Sequence, residues 1–165
     1  MKAQLEDIPS KQGGASFYQT EISVPAFEFK WHYHPEYELT YILKGNGYRV
    51  VGNSQEQFST GDLVLLGSKL PHTWWGKNED GSPSQAIVIQ FSSTFIEPFL
   101  TLNEGQAIKE LLEQSANGLR FEPDALFVQK LRSLAQTKEL ESVLALLSLL
   151  QDLTAKQASI LCADA

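Results

Sequence analysis

Apolar and polar positions alternate with a period of two over residues 15–91, and with a period near 3.6 after about residue 94. In the first region "ASFYQTEISV" and "AFEFKWHY" are rich in the β-branched and aromatic residues that suit strands. "YELTYILKGNGYRVVG" sets two apolar runs around Gly45-Asn46-Gly47, where the Asn-Gly pair predicts a tight hairpin. "GDLVLLG" is a short strand bounded by glycine, "TWWGKNEDGSPSQ" holds a polar loop, and "AIVIQF" reads as a buried strand. Strands at this spacing predict an antiparallel sandwich or barrel. In the second region "FIEPFL" is a short helix or turn, and "GQAIKELLEQSA" is an amphipathic helix that stops at Asn117-Gly118. "PDALFVQKLRSLAQ" opens on Pro123, a residue suited to a first helical position. "KELESVLALLSLLQDLTAKQ" is the strongest helix, with Glu139 and Glu141 in the first turn, where the helix dipole favours acid. The chain is therefore expected to be mainly β with a C-terminal α region of about three helices.

That last helix carries more apolar surface than one contact needs. Leu140, Val143, Leu144, Leu146, Leu147, Leu149, Leu150 and Leu153 cover an arc of roughly 220°, against about 100° for one-sided packing. A second partner is expected, and a symmetric copy of the chain is the simplest one, with Leu140, Val143, Leu147 and Leu150 as the homodimer interface. The plainer alternative is a helix packed between the β-region and the preceding helices.

Composition narrows the class. With 165 residues, 42% hydrophobic and 20% charged, the chain can bury a core as one compact domain. The single Cys162 can form no intrachain disulfide, which suits a reducing cytoplasm. "MKAQLEDIPSK" lacks the pattern of a signal peptide, and "VLALLSLL" is far short of a membrane span. A net charge of −7 with no Lys/Arg run argues against a nucleic-acid-binding surface on this chain.

The chemistry concentrates in "KWHYHPEYELTYILKG". His32 and His34 share one face of a strand, Glu38 begins a new alternation after Pro35-Glu36, and His72 follows Pro71 after "GDLVLLG". Brought together, three imidazoles and a carboxylate suit a divalent transition metal (Zn, Ni, Mn, Fe or Cu) better than Mg²⁺ or Ca²⁺. The same four groups could equally bond one another, a water or an organic ligand in a polar pocket wall. Glu36 is expected to point outward beside Pro35, and Asp62 to serve a Gly-Asp turn. Trp74 shares the parity of His72 and is expected inside; Thr40, Tyr48 and Gln90 could offer hydrogen bonds to a small molecule there.

His32-x-His34-x-x-x-Glu38 with Gly45 resembles the first motif of the cupin superfamily, and residues 61–72 resemble the second, with Gly67, Lys69 and Gly76 departing from its usual residues. Together with "AIVIQFS" and "NGLRF", these stretches resemble the amino-terminal effector domain of AraC-type transcription regulators over nearly the whole chain. The resemblance implies a cupin double-stranded β-helix (jelly-roll) barrel at 15–93, a helical dimerisation region at 94–165 and a flexible arm at 1–14, which in arabinose-responsive relatives folds over the effector. It implies a metal held by His32, His34, Glu38 and His72, with Zn, Ni, Mn or Fe as candidates, and a small-molecule effector, sugar being the family's common theme. It further implies a cytoplasmic homodimer that reaches promoter DNA through a helix-turn-helix domain not in this chain. A stand-alone metal-dependent cupin enzyme, of dioxygenase or isomerase type, is the alternative.

Overall fold

The computed structural model describes residues 1–8 and 16–163. Among these, eleven strands form two sheets. The first runs, in spatial order, β1 (Gln4–Leu5), β3 (His32–Tyr33), β8 (His72–Trp75), β5 (Gly47–Val51) and β6 (Ser54–Phe58). The second runs β11 (Ala158–Ile160), β10 (Leu119–Phe121), β7 (Leu63–Leu66), β4 (Tyr37–Lys44), β9 (Ser84–Phe91) and β2 (Phe17–Val24). All pairings are antiparallel except β1 with β3.

The second sheet is covered on both faces, which explains why "LVLL" and "AIVIQF" read as continuous apolar runs. Along β4, Leu39 and Tyr41 face the helices, whereas Glu38, Thr40 and Ile42 face the space between the sheets. Along β9 the same alternation puts Ile87, Ile89 and Phe91 on the helical side and Ala86, Val88 and Gln90 on the inner side.

The Gly45-Asn46-Gly47 segment is not the expected hairpin. It carries the chain from β4 in one sheet to β5 in the other, and β5 pairs with β6 and β8. The close approach of two backbones is what demands glycine. A Cβ on Gly47 would lie 2.1 Å from the Trp75 carbonyl oxygen, and one on Gly76 2.2 Å from that of Asn46. The two-residue hairpin loop is Gly52-Asn53 instead, where Val51 faces Ser54 and Gly52 adopts φ +55°.

Four helices follow among the described residues: α1 (Ser93–Leu100), α2 (Gln106–Gln114), α3 (Ala125–Ser133) and α4 (Glu139–Thr154). Ser92 caps α1 by accepting the Phe95 N–H at 3.1 Å. Asp124 occupies the cap of α3; its Oδ1 accepts the Phe127 N–H at 2.8 Å, so Pro123 stands one residue before the cap and not at the first helical position. Between and after the helices, β10 and β11 return to the second sheet, which the helical period of this region gave no reason to expect.

Leu146, Leu149, Leu150 and Leu153 of α4 are buried in the core shared with α2, α3 and the second sheet. At this spacing they form one stripe, each leucine contributing roughly 1.5–3 kcal/mol by burial. Leu150 is thus a core residue, which corrects its assignment to a dimer interface. Leu140 and Leu144 are exposed, at 69% and 59%, and Val143 and Leu147 are half-buried beside them. Among the described residues no helix is long and apolar enough to cross a membrane. Residues 9–14 of the expected arm, including Gly13-Gly14, lie outside the described residues.

Candidate functional site

A cavity of about 580 Å³ lies between the sheets. Its walls are mostly apolar, with Ile22, Phe27, Ile42, Trp74, Ala86 and Val88 prominent. One region is polar, where His32, His72, Glu38, Thr40 and Gln90 meet.

The three histidines arrive from two neighbouring strands and the segment after them. His32 on β3 pairs directly with His72 on β8. His34 follows two residues later, so it keeps the face of His32. Ring centroids lie 4.3 Å apart for His32–His72, 5.1 Å for His34–His72 and 5.9 Å for His32–His34. One ligating atom from each falls within 4.8 Å of the others.

The backbone sets their tautomers. His32 Nδ1 lies 2.7 Å from the Lys30 carbonyl oxygen, His72 Nδ1 2.8 Å from that of Leu70, and His34 Nδ1 3.0 Å from that of Glu36. A carbonyl can only accept, so each Nδ1 carries the hydrogen and each Nε2 is left for the site. Glu38 receives two of these atoms: His34 Nε2 lies 3.1 Å from Oε1 and His72 Nε2 3.4 Å from Oε2. Thr40 donates its hydroxyl to Glu38 Oε2 at 2.8 Å, and Gln90 its amide to Oε1 at 2.9 Å.

Burial opposes the charge on Glu38, yet the neighbouring His72 and the hydrogen bond with His34 hold its carboxyl well below the usual range. Burial would lower His34, but its hydrogen bond to Glu38 and the carboxylate charge outweigh this and raise it. His32 is lowered by burial and by the neighbouring His72.

Two features of this geometry fit a bound cation. His72 Nε2 is buried and lacks a hydrogen-bond partner among the described residues. The 3.1–3.4 Å separations between Nε2 atoms and Glu38 oxygens match the edge of about 3.3 Å expected between ligands of a tetrahedral ion with bonds near 2.05 Å. The Nδ1–carbonyl bonds supply the outer contacts that orient metal-ligating imidazoles.

Of the effector-pocket candidates, Thr40, Trp74 and Gln90 line the cavity. Tyr48 does not. The register of β5 against β8 puts Tyr48 opposite Trp75, on which its ring stacks at 5.5 Å, and puts Arg49 opposite Trp74. Glu36 also departs from expectation: it is buried, with Oε2 3.8 Å from His34 Nδ1. Asp62 does more than form a turn. It is buried and accepts from Arg49 Nε (2.8 Å), Arg49 Nη2 (3.3 Å), Arg120 Nε (3.1 Å) and Trp74 Nε1 (3.0 Å).

Two participants at the cavity mouth, Glu6 and Lys30, went unrecognised in the sequence. Glu6 belongs to the segment that β1 pins beside β3, and its Oε2 lies 3.3 Å from His32 Nε2. No sequence pattern marks it, because its place depends on a parallel pairing of two residues. Arg49 had a signal, since it shares the parity of Val51 in "GYRVVG".

The sequence model of the family described as AraC-like ligand binding domain matches residues 14–156. A sequence comparison with curated proteins finds no match. Among solved structures, the chain is similar to unsaturated-fatty-acid-bound ToxT from Vibrio cholerae strain SCE256. That match has 14% identity and a TM-score of 0.57, and covers 81% of this chain and 52% of that one. It is also similar to ToxT from Vibrio cholerae O395 bound to (E)-4-(8-methylnaphthalen-1-yl)but-3-enoic acid, at 14% identity and TM-score 0.53, covering 81% and 54%. A cupin 2 conserved barrel domain protein from Rhodopseudomonas palustris matches at 18% identity and TM-score 0.39, covering 46% and 52%. The chain thus spans about half the length of the ToxT chains it matches. Its fold is two β-sheets with a C-terminal helical layer.

Proposed function

The chain belongs to the AraC-like ligand-binding domain family, and from that premise we propose that it is the effector-sensing and dimerisation part of a cytoplasmic transcription regulator. Contact with promoter DNA belongs to a helix-turn-helix domain outside this chain. The observation that carries the reading is the cavity between the sheets, whose volume of about 580 Å³ lies in the range of small-molecule sites.

The lining selects the effector's chemistry. Ile22, Phe27, Ile42, Ala86 and Val88 take an apolar body, and Trp74 supplies a ring face. A polar head belongs at the Glu38–Gln90–Thr40 end, beside the imidazoles. This favours an organic acid or alcohol with an apolar body over a sugar, whose hydroxyls would face hydrocarbon on most sides. The unsaturated fatty acid bound by ToxT supports the same reading.

His32, His34, Glu38 and His72 would hold a divalent ion of the Zn, Ni, Mn or Fe kind, which would supply Lewis-acid attraction for the head group. The protein's own groups orient that head: Gln90 and Thr40 fix Glu38, and the backbone carbonyls fix the rings. Glu38 is committed to two imidazoles, Thr40 and Gln90, and Asp62 to two arginines and Trp74, which favours sensing over acid–base turnover. Leu140 and Leu144, flanked by Val143 and Leu147, would form the dimer face.

Thermal denaturation against medium-chain fatty acids, aryl-alkanoic acids and free sugars tests the cavity. A ligand at about 100-fold its Kd should raise Tm by roughly 5–10 °C. Val88→Phe, which fills the cavity, should abolish that rise while leaving the unliganded protein folded. A rise of the same size in the variant would reject the cavity as the effector site.

A further inference from the structure

Trp74 forms part of the cavity wall, yet the one polar atom of its ring is taken up elsewhere. Nε1 donates at 3.0 Å to Asp62 Oδ2. Asp62 lies outside the cavity lining, in a separate polar cleft of about 270 Å³ that it shares with Arg49 and Arg120. The carbon surface of the indole packs against the buried cluster of Ile42, Phe58, Ala86 and Val88, three of which line the cavity with it.

An indole N–H can only donate, and the torsion that turns the tryptophan ring is broad and roughly two-fold. A partner must therefore decide which edge of the ring faces inward. Asp62 is built to be that partner. Its main chain is fixed, with the Ile42 N–H donating to its carbonyl at 2.9 Å and its own N–H donating to that of Ser59 at 3.1 Å. Its carboxylate is clamped by Arg49 Nε and Nη2 at 2.8 and 3.3 Å and by Arg120 Nε at 3.1 Å. Arg49 is buried and stands directly opposite Trp74 in the register of β5 and β8, so clamp and ring rise from one cross-strand pair. A buried acceptor held by so many donors cannot follow the ring to another position without leaving some of them unpaired.

With its N–H bonded to Asp62, the ring offers the cavity carbon alone. A ring turned the other way would set an unpaired donor against an apolar effector body. Resting on the reading of the cavity as the effector site, we propose that Asp62 is a positioning residue for effector binding that acts through Trp74. It fixes the plane of the indole and keeps that wall apolar, although it touches no part of the cavity itself.

The test titrates decanoate and phenylbutyrate by calorimetry into wild type, Asp62→Asn, Trp74→Phe, the double variant and Leu150→Ala. An amide has one accepting oxygen where a carboxylate has two, so in Asp62→Asn the guanidinium groups compete with the indole for it. Asp62→Asn should raise Kd about tenfold or more. Leu150→Ala, a core variant of comparable instability, should stay within about twofold of wild type, which separates positioning from loss of stability. In the Trp74→Phe background, where there is no indole N–H to hold, Asp62→Asn should change Kd by less than about twofold. The Trp74 indole proton, assigned by NMR through its loss in Trp74→Phe, should exchange slowly in wild type both with and without decanoate. That measurement does not require Asp62→Asn to fold. An unchanged Kd in Asp62→Asn, an equal loss in the Trp74→Phe background, or rapid exchange of the indole proton would overturn the role of Asp62 and leave the cavity standing as the effector site. Failure of wild type to bind either acid would remove the apolar-effector reading of the cavity and this inference with it.

Discussion

A single backbone contact orients each of the three imidazoles. Histidine placed two residues from an accepting carbonyl, as in the Lys30–His32, Glu36–His34 and Leu70–His72 pairs, commits its Nδ1 and turns Nε2 toward the site. The spacing of the histidines was legible in the sequence, but the tautomer was not, because it depends on the path of the main chain. Asp62 shows what burial asks of a carboxylate when no imidazole is at hand. Two guanidinium groups and an indole N–H surround it, and Arg49 is itself 1% exposed. Asp62→Asn would leave Arg49 buried without its main counter-charge, so we expect a loss of about 3–5 kcal/mol in unfolding free energy, read from the urea midpoint. A loss under about 1 kcal/mol would show that Glu56, 3.6 Å from Arg49 Nη1, suffices as its partner.

At the scale of elements, α4 was read correctly as a helix with too wide an apolar arc, and wrongly at Leu150, which faces the core. The pattern gives the width of the arc but not its direction, since eight apolar positions on one helix leave the rotation about its axis undetermined. Packing against α2, α3 and the second sheet settles it: Leu150 goes in, and Leu144 stays out. The two positions should therefore separate association from stability. Leu144→Glu should yield monomers by sedimentation velocity while holding Tm within about 2 °C. Leu150→Ala should cost about 2–5 kcal/mol by denaturant unfolding, and any effect on association should follow from that loss. A dimer unchanged by Leu144→Glu would move the interface off this helix.

For the molecule as a whole, the second sheet is the part shared by cavity and helices. β4 and β9 present Glu38, Thr40, Val88 and Gln90 to one side and Leu39, Tyr41, Ile87 and Ile89 to the other. That arrangement could be glimpsed in the uninterrupted apolar runs of β7 and β9. The crossing at Gly45-Asn46-Gly47 could not, because a local turn signal does not tell which sheet the next strand joins. A side chain displaced on the cavity face must be accommodated by a close-packed layer whose other face seats α2 and α4. If effector binding alters the α4 surface by this route, the effect is a coupling free energy and must be reciprocal. The ligand giving the largest Tm rise should change the dimer dissociation constant by a factor in the range of about 5–150. The ligand's own Kd should change by that same factor between monomeric and dimeric protein. Sedimentation with and without ligand measures the first factor, and calorimetric titration of wild type and Leu144→Glu measures the second. Agreement on a factor other than one would establish that the cavity and the α4 surface are coupled. Two factors of one would mean that the cavity and the helical face act independently, and a signal to DNA would then have to leave the domain by another surface.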